Sequence, residues 1–304
     1  MTQLLNAIPG ALAQGLIWGV MAIGVYITYK VLDIADLTVD GSICTGAAVC
    51  TMLLLGGQSP WLALLCAVLA GVLAGAVTGL LHVGLGIPPI LAGILTQMVL
   101  WSVNLKLLGK ANQALPARTT PVLLSQMDVG GALPVLLGFC VVLVALLVLF
   151  FGTELGCALR ATGCNPVMSR AQGVNTGLMK IIGLALSNGV VALSGALLCQ
   201  YQGYTDVNMG RGAVVIGLAA VVIGQAVLGR RGGRMAVQLG GVILGAVIYY
   251  IVYQVIIFAG FDTDLLKMFS AVVVAVFLGA PHVKAQLKAH SRSKKGDSGH
   301  AENE

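Results

Sequence analysis

Charge is what this chain has least of. Only 9% of its 304 residues are Asp, Glu, Lys or Arg, against about 25% in a soluble domain, and from Gly41 to Leu105 there is none. That scarcity excludes a solvated globule. Cysteine pairing is also missing. The seven cysteines form no C-x-x-C and lie within or beside apolar runs, which suits small buried hydrophobes better than disulfides or ligands. The four histidines (82, 282, 290 and 300) are scattered and offer no metal spacing. A P-loop needs G-x-x-x-x-G-K-[ST], and GVILG, LLGKAN and RRGGR all fail it. No paired carboxylates or Ser/His/Asp set can be assembled on one side, so the residues carry no catalytic centre and no metal site.

Long apolar runs fill the space instead, and 58% of the residues are hydrophobic. Uncharged windows cover Ala7–Tyr29, Gly212–Gly229 and Met235–Phe261, and Ile181–Asn208 is broken only by Asp206. Most of these reach or exceed the roughly 20 residues a helix needs to cross about 30 Å of hydrocarbon. Backbone polar groups in lipid are satisfied inside helices, so the expected fold is all-α and polytopic. Nine segments are expected, at about 9–29, 42–57, 61–82, 88–107, 134–152, 178–200, 211–229, 235–259 and 265–281. The second is short and the fourth opens on Ile87-Pro88-Pro89, so one or both are expected to be broken or re-entrant. No basic stretch precedes the first run, which reads as a spanning helix rather than a cleaved signal. With the N-terminus outside and the C-terminus cytoplasmic, twelve Lys and Arg fall inside and five outside, as the positive-inside bias requires. The net charge of +6 is then answered by topology and anionic membrane lipid, with no nucleic acid needed. Residues 1–281 form the membrane domain, and 282–304 read as a disordered basic tail.

One polar interruption has the grammar of short helices. In 153–177 Thr153 can cap a helix, Glu154 sits in its first turn and Gly163 can close it. Asn165-Pro166 then restarts a helix that Gly173 ends. Pro166–Gln172 would be about 10 Å long, too short to persist unless docked. Its apolar Val167, Met168 and Ala171 alternate with Ser169, Arg170 and Gln172. Such a loop is either an ordinary interfacial helix or a docking point for another protein.

The stretch GCNPVMSRAQGVNTGLMKIIGLALSNGVVALSGAL (163–197) resembles the cytoplasmic loop and following helix of permeases in the branched-chain amino acid and ribose class of ABC importers. Gly163, Asn165, Ala171, Gly173, Val174 and Asn175 occupy matching positions; Pro166 and Ser169-Arg170 depart from the pattern. GLIWGVMAIGVYITYKVLDIADLTVDGSICTGAAV (15–49) resembles the first helix and re-entrant region of the class, and GRGAVVIGLAAVVIGQAVLG (210–229) its late Gly-rich helix. The resemblance implies that 153–175 is a coupling loop held by a cytoplasmic ATPase, with Asn165, Pro166, Ser169, Arg170 and Gly173 as coupling residues. It further implies an extracytoplasmic solute-binding protein, a second permease copy forming a homodimer, and the bacterial plasma membrane. ATP and magnesium would be bound by the partner ATPase, leaving this chain without a cofactor and without enzymatic activity. An amino acid is the first expectation for the solute, with sugars and nucleosides as the other solutes of the class. A gradient-driven secondary transporter or channel is the alternative. It calls for ionisable groups inside the spans, and the middle of these helices holds almost none.

Residues 36–49 and 206–221 echo one another. Each opens on Asp, passes a polar Gly-containing break and enters a small-residue helix. Inverted repeats read this way, and so does a chance match. Asp33, Asp36 and Asp40 either mark the solute path or cap the next helix. Thr96, Gln97 and Asn104 share a segment, with 97 and 104 on one face. Together with Asn188, Asp36 and Asp40 they are the candidate translocation residues; interhelical hydrogen bonds are the other use of such side chains. Gly71, Gly75 and Gly79 at four-residue spacing would let two helices approach closely.

Overall fold

The computed structural model describes residues 2–116, 120, 122–228 and 234–258, with isolated positions at 268, 272, 275 and 279. The chain divides into two compact units, residues 1–255 and 256–304; the ninth expected segment and the tail lie almost wholly outside the described residues. In chain order the elements are α1 (Thr2–Tyr26), a π-helical turn (Ile27–Val31), α2 (Val39–Leu55), α3 (Pro60–Gly84), α4 (Pro89–Leu108), β1 (Asn112–Ala114) and α5 (Val129–Gly152). They continue with α6 (Glu154–Cys164), α7 (Pro166–Ala171), α8 (Thr176–Gln202), β2 (Tyr204–Asp206), α9 (Ala213–Leu228) and α10 (Met235–Phe258). Among the described residues six helical spans are long and apolar enough to cross a membrane, and α2 and α9 are shorter apolar helices. At 1.5 Å per residue their 17 and 16 residues reach only about 26 and 24 Å, less than the hydrocarbon core. By contrast α4, opened by Pro88-Pro89, runs its full 20 residues, because proline at the first helical position removes no bond the helix would make.

The centre of the bundle is α8, with α1 beside it. The most apolar windows of these two helices are 72% and 78% buried, against 22% for α4 and α5. Small residues decide this arrangement. On α3 a Cβ added at Gly71, Gly75 or Gly79 would run into the backbone of α8 at Asn188, Leu184 and Ile181. The same holds where α2 meets α8, with Gly46 against the Ala192 carbonyl and Gly195 against that of Ile43. Without a hydrophobic drive between helices in lipid, such close backbone approach supplies the dispersion contact that holds them. The other face of α3 carries Leu65, Leu69, Leu73 and Leu80, each more than half exposed, which is the surface a lipid solvent requires.

β1 and β2 pair antiparallel, Asn112 opposite Asp206. They tie the connection after α4 to the one after α8.

Candidate functional site

The two short helices begin close together. Asp40, in the first turn of α2, accepts hydrogen bonds from the backbone N–H groups of Gly212 and Val214, both at 3.0 Å. One carboxylate therefore stands at the N-terminus of α2 and caps that of α9, where the partial positive ends of both helices converge. Each break opens on the same local turn. Asp36 Oδ1 accepts from Thr38 N at 2.8 Å, and Asp206 Oδ1 accepts from Asn208 N at 2.7 Å. The echo between 36–49 and 206–221 is thus a shared aspartate turn leading into a short helix.

Behind this junction lies a packed polar lattice. Asn188, fully buried in mid-α8, donates to Asp36 Oδ2 at 2.7 Å and to the Leu184 carbonyl at 2.9 Å, and accepts from Ser42 at 2.6 Å. A buried carboxylate is costly unless hydrogen-bonded; Thr38 N and Asn188 meet that need for Asp36. A hydroxyl chain joins three helices. Thr96 donates to the Ala92 carbonyl, Thr78 has both Thr96 at 3.0 Å and the Ala74 carbonyl at 3.2 Å as acceptors, and Thr38 and Thr78 lie 2.8 Å apart.

The remaining candidates face a cavity of about 580 Å³, lined in part by Asp40, Gln97, Asn104, Trp101 and Arg211. The structure therefore separates the six translocation candidates. Asp36, Thr96 and Asn188 are bonded into the interior, Asp40 and Gln97 face the cavity, and Asn104 lies wholly buried at its edge. Residues 96 and 97 are neighbours in sequence but point about 100° apart around a helix. Arg211 and Trp101 were not anticipated. Arg211 follows the Gly210 that packs on the Asp40 carbonyl. Trp101 falls on the 97/104 face, and that spacing was the available signal.

The polar loop folds as two short helices. Thr153 caps α6 through Gly156 N. Gly163 does not end this helix, which continues to Cys164; a Cβ there would collide with the Val31 carbonyl, so the glycine serves close contact with the turn below α1. Asn165 Oδ1 accepts from Val167 N and Met168 N at 3.1 and 3.0 Å, and Pro166 takes the first helical position. Ser169 is buried and donates to the Asn165 carbonyl at 2.9 Å. The Arg170 guanidinium donates to Thr176 Oγ1 at 3.2 and 3.3 Å, bracing α7 on the start of α8. Gly173, at φ +84°, makes the left-handed turn that closes α7, with its N–H on the Arg170 carbonyl and that of Val174 on Ser169. All five coupling candidates thus build the helix or hold it in place. What they present outward is Val167 and Met168, 77% and 62% exposed.

Six helices long and apolar enough to cross a membrane, two shorter apolar helices whose N-termini meet, and a cavity at their junction mark a multi-pass membrane protein. The chain belongs to the family described as branched-chain amino acid transport system / permease component, which it matches over residues 7–280. It is 38% identical over 287 residues to the tyrosine transport system permease protein of Clostridioides difficile (strain R20291), covering 93% of this chain and 94% of that protein. An uncharacterised protein of Rickettsia prowazekii (strain Madrid E) is 33% identical over 91% of this chain and 98% of its own length. The autoinducer 2 import system permease protein LsrC of Escherichia coli (strain K12 / DH10B) is 29% identical over 67% of this chain and 60% of that protein. No solved structure is a significant match.

Proposed function

We propose that the chain is the transmembrane subunit of an ATP-driven importer of a small polar solute, an amino acid foremost. On this reading a separate cytoplasmic ATPase binds ATP and magnesium, and its nucleotide cycle reaches the bundle through α7. The junction of α2 and α9 then alternates in access between the two sides. An extracytoplasmic binding protein delivers the solute, and a second copy of this chain completes the path. The N-terminus lies outside and the C-terminus in the cytoplasm, in a bacterial plasma membrane. The two halves around the aspartate turns act as inverted repeats.

The observation that carries the reading is the exposed pair Val167 and Met168. A helix of six residues is about 9 Å long and cannot hold itself together. Here a cap, a left-handed turn and an arginine brace fix it while its apolar residues face outward. A rigid apolar knob of this kind is suited to a groove on a partner. The relative named for tyrosine transport supports an amino acid as solute.

The test is the chain assembled with its ATPase and binding protein in proteoliposomes, carrying Val167→Asp and Met168→Asp together. Uptake and binding-protein-stimulated ATP hydrolysis should both fall to background while the chain still inserts. Unchanged coupling in that variant, or in one with acidic residues at Ser169 and Arg170, would overturn the reading. Uptake by the chain alone, driven by a gradient without ATP, would replace it with a secondary transporter.

A further inference from the structure

Among the described residues one pair of thiols meets. Cys50 lies near the end of α2 and Cys199 near the end of α8, and the two side chains are hydrogen-bonded to each other. The surrounding bonds fix them there. Gln200 Nε2 donates to Cys50 Sγ at 3.4 Å, and Gln200 Oε1 accepts from Leu123 N at 3.0 Å. The Thr51 and Thr205 hydroxyls share a hydrogen bond at 2.7 Å, and both reach Cys199. Cys50, Thr51, Cys199, Gln200 and Thr205 are all fully buried. A cysteine packed singly as a small hydrophobe makes no such set of contacts; Cys140, for one, is buried against the Leu16 carbonyl. The position of the pair also matters. With the N-terminus outside, α2 and α8 both run outward, so the thiols stand at the extracytoplasmic end of the bundle, where disulfides form and persist. At 17 residues α2 is too short for the hydrocarbon core to set its depth. Its start is held by the contact of Asp40 with α9, and its outer end needs an anchor of its own.

We propose that Cys50 and Cys199 are the two halves of a disulfide that staples the outer end of α2 to α8. The inference rests on the orientation proposed for the chain and on nothing about its solute. Sulfurs already in contact need close only to the bonding distance of about 2.05 Å. The oxidant is the disulfide of an extracytoplasmic thiol–disulfide exchange protein. One cysteine, as its thiolate, attacks a sulfur of that disulfide; a mixed disulfide forms, and the other sulfur of the exchange protein leaves. The second cysteine thiolate then attacks the mixed disulfide. The Cys50–Cys199 bond forms, and the exchange protein departs as a dithiol carrying the two electrons and the two protons that the cysteines lost. Both thiols are fully buried once the bundle has closed, so the exchange precedes the packing of α8 on α2. The Gln200 amide keeps its acceptor, because a disulfide sulfur still takes a weak hydrogen bond. The bond closes the long stretch from α2 to α8, the kind of loop whose cross-linking restricts the unfolded chain most.

The experiment uses the full chain, expressed in two bacterial hosts, one with its extracytoplasmic disulfide-forming system intact and one without it. Whole cells are quenched in acid, free thiols are blocked with N-ethylmaleimide in denaturant, and digests are mapped by mass spectrometry with and without reduction. In the first host most of the chain should yield a peptide pair joined through Cys50 and Cys199, and reduction should release it. In the second host both cysteines should carry maleimide. The chain purified from the second host should unfold at a midpoint lower by about 5 °C or more. Cys50→Ser combined with Cys199→Ser should unfold at one midpoint whichever host supplies it, a result that thiols merely filling space would extend to the wild type. Maleimide on both cysteines in the first host, or equal wild-type midpoints from the two hosts, would overturn the proposal. Labelling of Met168→Cys from each side of the membrane separates the two ways to fail. A chain with α7 inside and no Cys50–Cys199 bond sinks the staple alone, whereas α7 outside sinks the orientation with it.

Discussion

Replacing Asn188 by leucine should destabilise the protein more than any other single side-chain change of similar size. The amide makes three hydrogen bonds in a fully buried site, to Asp36, Ser42 and the Leu184 carbonyl. Leucine leaves the Asp36 carboxylate with Thr38 as its one remaining partner residue, and leaves the Ser42 hydroxyl without its acceptor. A hydrogen bond to a charged group contributes roughly 1.5–3 kcal/mol, and an orphaned buried hydroxyl costs about 1–3 kcal/mol. The Leu184 carbonyl keeps its helical partner and adds little. The sum is about 2.5–6 kcal/mol, which brackets the roughly 3–5 kcal/mol seen when one member of a buried charged pair is removed. Because about half of that cost is the stranded carboxylate, Asp36→Leu combined with Asn188→Leu should be less destabilised than the two single changes added together. Thermal unfolding of the purified chain in one detergent, with all four members of the cycle, measures this. A single-variant loss below about 1 kcal/mol, or strict additivity, would refute the claim that these residues form one buried unit.

Other changes test the remaining contacts. Asp40→Ala removes both acceptors that cap α9 and should cost about 0.5–2 kcal/mol; Asp40→Asn, which keeps one oxygen, should cost less, with unfolding again the measurement. Gly75→Leu drives a side chain into the α8 backbone, and the chain should then fail to accumulate in the membrane, read by quantitative blotting. Asn165→Ala removes the cap from α7 and should cost about 1 kcal/mol locally, seen as faster proteolysis within 163–175 with little change in global unfolding.

The positions of the membrane helices were legible because charges, or Gly/Pro breaks such as 56–60 and 86–89, bound the apolar windows. Expected segments such as 61–82, 178–200 and 211–229 lie within a few residues of α3, α8 and α9. The glycine ladder at 71, 75 and 79 announced a close contact, though only the structure shows that α8 is its partner. The start and end of α7 were equally plain, since Asn165, Pro166 and Gly173 act through local backbone chemistry. What the sequence could not orient was which face of each helix meets which neighbour. That is why Thr96 and Gln97 stood together as candidates, although one joins a hydroxyl chain and the other lines a cavity. Gly163 misled for a related reason. A glycine near a helix end suggests a stop, but this one makes room for the Val31 carbonyl, a contact between residues far apart in the chain.

The account stands or falls on the side of the membrane, and the companion, that α7 faces. The decisive measurement places a cysteine at Met168, in a chain cleared of its own seven cysteines, and treats the assembled transporter with a membrane-impermeant maleimide. The account predicts labelling in inside-out vesicles only, and protection from labelling when the ATPase is bound. Labelling from the outer face, or equal labelling with and without the ATPase, would contradict it.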